Sequence, residues 1–385
     1  MNYGTLALVV AVGLFGPLLA LLPTPMAPPL VIGEIAAGVV FGLTGTGTID
    51  ATQPTIVFLA SIGFALLMFI VATNLPLRDT RIRGAARRGF VATGVAIAIS
   101  IALSPLLAAL TGLHRPALLA VLVASSSAAI VLPIIGTRRT DALLVTIAWV
   151  SFADIATIVA VPFVLNTGGF GRALLGSLLV VVGATVFGFV LARLTRIRRI
   201  DDLRHASHHR DWALDLRISL LVLFTLAWIA ESFDTSALLA GFATGVMVSL
   251  IGEPRRVAAQ LIGLGEGFFV PLFFVVLGAR LDLRALVHSR DDFLLFVLLA
   301  IAMTLVPVLT AAVVRLPVSS GLLAAAEMGV PSAIAALGLA SNVLRPGQGA
   351  AIIGAAAVSL AVASIGAFRI GASASISRPG PDDAG

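Results

Sequence analysis

The chain has 385 residues, of which 59% are hydrophobic and 11% charged, and its mean hydropathy is +1.09. A soluble domain carries about 25% charged residues, so this composition excludes a water-soluble particle and indicates an integral membrane protein. Cysteine and lysine are both absent and the net charge is +6, which excludes disulfide scaffolds, thiolate metal sites, lysine Schiff bases and P-loop nucleotide chemistry.

Continuous apolar runs of about 20 residues recur along the chain, as membrane-crossing helices require. The alternating pattern of a β-barrel is not seen. In chain order the sequence predicts 13 spans, at 4–22, 28–45, 53–73, 90–112, 116–136, 142–165, 171–194, 213–231, 235–251, 258–279, 292–314, 317–341 and 347–370. The first lacks a basic leading region and reads as a retained helix rather than a signal peptide. Residues 1–372 are expected to form one transmembrane domain. Residues 373–385 are expected to be a short disordered cytoplasmic tail, with no soluble domain attached.

The arginines orient this topology. Loops after odd-numbered spans hold 19 of the 25, among them Arg87, Arg88, Arg138, Arg139, Arg198 and Arg199. Loops after even-numbered spans hold the other 6: Arg115, Arg172, Arg280, Arg284, Arg290 and Arg345. The positive-inside rule then predicts an outside N-terminus and a cytoplasmic C-terminus, in a bacterial inner or plasma membrane. The positive charge reads as membrane orientation, not as nucleic-acid binding.

Two parts of the chain resemble each other at a near-constant offset. Met68–Arg78 aligns with Phe274–Arg284, and Gly33–Gly38 with Gly241–Gly245. Ser127-Ala-Ala-Ile130 aligns with Ser332-Ala-Ile334. The offset carries span 1 onto span 8, an odd number of spans later, so the second copy enters the membrane inverted. The expectation is two inverted six-helix repeats, at about 4–165 and 213–370, joined by a linker helix at about 171–194. That is a secondary-transporter plan, with its site near the membrane midplane.

An ionisable residue inside a span costs about 2.5–3.5 kcal/mol on insertion scales, so each one is a candidate for function. Glu34, Asp154, Glu266 and Glu327 qualify. Asp154 stands mid-span with no arginine in its own span. Such a carboxylate can hold a proton or a cation, but not both at once. Span 5 contains Ser125, Ser126, Ser127 and Pro133, and span 12 contains Glu327, Gly329, Pro331 and Ser332. Proline removes a backbone donor and serine competes for backbone bonds, so both spans are expected to break. Broken helices expose carbonyls and hydroxyls, hard ligands suited to Na+ or K+. Glu327, beside the second break, reads as a structural carboxylate bonded to freed amides. Glu34, in a Gly-rich short span, reads as a packing residue or a contact to a helix end, and Glu266 has no assigned role.

Other chemistries do not assemble. No His, Asp and Glu cluster has zinc spacing. His205, His208 and His209 read as a solvated loop. The serine run has no nearby histidine, which argues against a hydrolase, and no enzyme is expected.

At these residues the chain resembles the monovalent cation:proton antiporter superfamily, in its Kef/NapA-like branch, over essentially all 13 spans. Pro29-Leu-Val-Ile-Gly-Glu-Ile-Ala-Ala-Gly38 is similar to the family's Pro-x-x-Leu-Gly-Glu-x-x-x-Gly segment. Pro271–Leu283 resembles its Leu-Phe-Phe-x-x-x-Gly-x-x-x-Asp-Leu signature. Ser125–Ser127 resembles the Ser-Ser-Thr of the first crossed helix, Glu327 falls on the Gly-Glu-Phe segment of the second, and Asp154 falls on the ion-binding aspartate. The resemblance implies crossed broken helices, a core domain moving against a dimerisation domain in an elevator mechanism, and a homodimer in membrane lipid. The chain departs from the pattern in three places. Ala153 stands where Asp, Asn or Gln is common, Met303–Pro307 offers no base where many members carry a lysine, and Asn74 replaces a usual Glu.

The expected function is electroneutral exchange of Na+ or K+ for H+, with Asp154 as the shared site for proton and monovalent cation. Ser125, Ser126 and Ser127 stand near it, and no cofactor is involved. The alternatives are a Na+-coupled organic-anion symporter of similar fold and a non-transporting membrane sensor or structural subunit.

Overall fold

The computed structural model describes residues 3–20, 30–73, 80–135, 140–165, 170–194, 214–233, 237–251 and 261–376. Asn74, the histidine run at 205–209, residues 377–385 of the expected tail and many loop arginines, Arg138, Arg139, Arg198 and Arg199 among them, lie outside these residues.

The described residues form helices and no strand. Among the described residues, eight helices are long and apolar enough to cross a membrane: Pro54–Thr73, Gly84–Thr111, Asp141–Leu165, Gly171–Val190, Leu261–Arg280, Arg290–Val313, Val318–Ala340 and Pro346–Ser364. Three shorter apolar helices accompany them, at Leu6–Leu18, Leu30–Phe41 and Ala237–Ser249. Large apolar side chains stand on outward surfaces, with Phe90 at 68% and Phe189 at 61% exposure. Hydrocarbon accommodates such surfaces and water does not. The chain is an all-helical integral membrane protein.

The chain divides into two compact units. The first comprises Met1–Arg78, Ile158–Leu283 and Ala336–Val343. Its helices are α1 (Tyr3–Gly13), α2 (Phe15–Ala20), α3 (Leu30–Phe41), α4 (Pro54–Thr73), Phe170–Leu194, Leu214–Ser232 and Ala237–Ile251. A further helix, Val270–Arg280, continues from a π-helical turn at Gly265–Phe269. Two helix pairs pack backbone to backbone. A Cβ at Gly38 would lie 2.2 Å from the carbonyl oxygen of Val275, and one at Gly278 would lie 2.2 Å from that of Ile35. A Cβ at Gly245 would lie 2.4 Å from the carbonyl oxygen of Phe69, and one at Gly241 would lie 2.1 Å from that of Ala65. Only glycine permits these approaches, because any side chain would occupy the neighbouring helix.

The second unit comprises Asp79–Thr157, Arg284–Ala335 and Leu344–Gly385. Its helices include Thr80–Thr111, Pro116–Ala124, Ala128–Ile135, Arg290–Val313, Val318–Ala324 and Pro346–Ile376. It also takes in most of Asp141–Leu165 and the first half of Gly329–Ala340. The helix carrying Asp154 is fixed early along its length. A Cβ at Gly89 would come within 2.8 Å of the amide nitrogen of Trp149, and Thr93 Oγ1 donates to the Trp149 carbonyl at 3.1 Å. The second unit therefore grips the backbone one and a half turns before Asp154.

Candidate functional site

Two membrane segments of the second unit leave the helical path. The first stops at Ala124, is non-helical through Ser125–Ser127 and resumes at Ala128, with Ser125 extended at φ −71° and ψ 151°. The second stops at Ala324 and resumes at Gly329, with Ala326–Met328 non-helical between them. The serines supply a local cause for the first break. Ser125 Oγ donates to the Leu122 carbonyl at 2.7 Å and so satisfies an oxygen of the last helical turn. The break falls at the serines and not at Pro133, which stands inside Ala128–Ile135. Pro331 lies in the first turn of Gly329–Ala340, where a missing N–H leaves no helical bond unmade. The two breaks touch, because the amide of Ser127 donates to the carbonyl of Ala326 at 2.8 Å.

Asp154 is buried, at 2% exposure, and Oδ2 accepts the N–H of Ala128 at 3.1 Å. The carboxylate thus meets the first amide of the helix that restarts after the serines. Thr157, one turn on, donates to the Ala153 carbonyl at 2.7 Å.

Glu327 sits within the second break and is fully buried. Its Oε1 accepts the N–H of Val330 at 2.8 Å. It is close enough to Asp154 for the two carboxylates to interact electrostatically. Glu327 Oε2 and the buried hydroxyls of Ser126, Ser151 and Ser332 have no hydrogen-bond partner among the described residues. Each such atom carries an unmet demand for a polar neighbour.

The structure therefore brings Asp154, Ser127 and Glu327 together at one pair of breaks, with Ser125 and Ser126 in the same non-helical stretch. Sequence reasoning passed over Ser151 and Ser332 as site residues. Ser151 stands one helical turn before Asp154, and that i to i+3 spacing was the available signal. Met303 and Pro307, on Arg290–Val313, are buried and provide no base. Among the described residues neither Asp154 nor Glu327 forms an ion pair, and no group of three His, Asp or Glu could hold a metal. Glu34 belongs to the first unit, where it is buried on α3, with its Cγ 2.9 Å and Oε1 3.3 Å from the place a Cβ on Gly16 would occupy.

Two buried carboxylates, serine hydroxyls and helix-end carbonyls make an oxygen-rich cluster inside an apolar protein. Oxygen donors of this kind bind hard cations, and a carboxylate also binds a proton.

The chain is similar to known proteins. The chain is 23% identical over 350 residues to YjbQ of Bacillus subtilis, named as a candidate Na+/H+ antiporter, across 84% of this chain and 56% of that one. It is 26% identical over 341 residues to the Na+/H+ antiporter NhaS5 of Synechocystis, across 81% of this chain and 45% of that one. The chain thus spans about half the length of these curated relatives. The solved structure of the sodium proton antiporter MjNhaP1 from Methanocaldococcus jannaschii matches its fold at a TM-score of 0.64 and 16% identity, covering 96% of this chain and 97% of that one. The sodium/hydrogen exchanger transmembrane model matches residues 6–372. With nearly its whole length described by that model, and with a buried carboxylate cluster at paired helix breaks, the chain belongs to the sodium/hydrogen exchanger family.

Proposed function

We propose that the chain exchanges a monovalent cation, Na+ or K+, for H+, and that Asp154 is the site the two ions share. One observation carries this reading: a buried carboxylate held at a helix break, with no ion pair to any described cation. A carboxylate without a fixed counter-ion needs a mobile one. A proton and an alkali cation both meet that need, and each excludes the other. The hydroxyls of Ser126, Ser151 and Ser332 are free oxygens available to complete a cation's shell.

With one exchanging carboxylate and no lysine to release a second proton, the exchange is one for one and electroneutral. Glu327 is a positioning residue, because its hydrogen bond goes to an amide in the first turn of the helix that follows it. The division of the chain into two compact units supports an elevator mechanism, in which one unit carries the ion while the other anchors a homodimer. The topology is 13 spans in two inverted repeats, with an outside N-terminus and a cytoplasmic C-terminus. The paired breaks support the repeat. So do the reciprocal contacts of Gly38 with Val275 and Gly245 with Phe69, which the repeat offset maps onto one another.

Proteoliposomes under an imposed pH gradient test this. Wild type should move Na+ or K+ against H+ with no response to a clamped membrane potential. Asp154→Asn should fall to the rate of protein-free vesicles. Undiminished exchange by Asp154→Asn would remove the assignment.

A further inference from the structure

The first unit holds a cavity of about 240 Å³ that the exchange reaction does not use. Two carboxylates, Glu34 and Glu266, line it. Glu34 is 5% exposed and makes no hydrogen bond or ion pair with any described residue. Glu266 enters from the π-helical turn Gly265–Phe269, a widened geometry that recurs at functional sites. The remaining lining side chains are apolar, and Phe268 adds an aromatic ring. The rim continues into apolar side chains at the surface, with Leu14 at 56% and Leu30 at 49% exposure.

Each feature narrows the ligand. A buried unpaired carboxylate calls for a positive partner. A bare metal ion would find two carboxylates and no hydroxyl or amide side chain, too few oxygens for a hard cation. A phospholipid headgroup would bring a phosphate, and no arginine lines the cavity to receive it. An organic ammonium satisfies both carboxylates through its N–H donors, lays its apolar body on the walls and can face the Phe268 ring.

We propose that this cavity binds a small amphipathic organic cation, an ammonium carrying an aliphatic or aromatic group, with Glu34 as the principal anchor and Glu266 as the second. The proposal does not rest on the exchange reading, since binding is measured without flux.

The test is calorimetric titration of the chain in zwitterionic nanodiscs at pH 8, with hexylammonium as probe and hexanol as its neutral counterpart. One hexylammonium per chain should bind, with hexanol about tenfold or more weaker, because the charge-assisted bonds are lost. Glu34→Gln should weaken hexylammonium about tenfold and Glu266→Gln less, while Asp154→Asn should bind as wild type. If Glu34→Gln does not fold, Leu14→Trp, which fills the rim, should abolish binding in its place. Equal binding of hexanol overturns the proposal. So does undiminished binding by Glu34→Gln or Leu14→Trp, or a loss confined to Asp154→Asn.

Discussion

The amide of Ser127 and the carbonyl of Ala326, 199 residues apart in the chain, are joined by a hydrogen bond of 2.8 Å. Each lies in a stretch that has left its helix, and each would otherwise be a backbone group without a partner inside the membrane. Their bond lets both breaks exist, since unsatisfied backbone groups are not tolerated there. Ser127→Pro removes the donor and strands the carbonyl, at a loss of about 1–3 kcal/mol. Ser127→Ala keeps the amide and should unfold near the wild-type temperature. Thermal unfolding of both variants in one detergent measures the difference.

Glu327 closes a helix start. Glu327→Gln retains an oxygen acceptor for Val330 and should preserve folding. Glu327→Ala leaves the amide of Val330 without its acceptor and should lower stability by about 1–2 kcal/mol, the usual loss when a helix cap is removed. Exchange should survive the Gln substitution at a reduced rate. Complete loss in Glu327→Gln with normal folding would promote Glu327 from positioning residue to ion ligand.

On the proposed reading, competition at one carboxylate sets the pH dependence of cation binding: the cation binds only the ionised form of Asp154, so acidification opposes it. Once the carboxyl is being protonated, apparent cation affinity should fall about tenfold for each further pH unit. On the alkaline side affinity should become independent of pH. Cation titration of the purified chain across a pH series reads this slope. A slope near twofold that of single competition would mean that two protons leave for each cation.

The glycine contacts of the first unit predict a graded stability series. Gly38→Ala and Gly245→Ala place a methyl against backbone oxygens 2.2 and 2.4 Å away and should each lose about 3 kcal/mol by overpacking. Gly94→Ala meets nothing within 4 Å and should be neutral or stabilising by up to about 1 kcal/mol. Unfolding temperatures of the three variants check the ranking.

Much of this was legible from residue types. Asp154 announced itself as an acid in an apolar run, and the serines at 125–127 announced a break, because both signals are local. The partners of those residues were not legible. Ala128 meets Asp154 through its backbone amide, and no side chain advertises a backbone donor. Ser127 meets Ala326 across 199 positions for the same reason. Glu34 read as a packing residue because its span is short and Gly-rich. That it shares a cavity with Glu266 depends on a π-helical turn, which shifts the register of side chains by an amount composition does not encode.

The geometry of the two restarted helices bears on the missing lysine. Asp154 and Glu327 each accept bonds from the opening amides of a helix, at Ala128 and at Val330. A helix start carries roughly half a positive charge in its peptide dipoles. Each acid therefore faces a fixed positive field. An ammonium can lose its proton and cease to compensate, whereas peptide dipoles hold their sign at every pH. The electrostatic floor of the site is thus built into the backbone and does not change with pH.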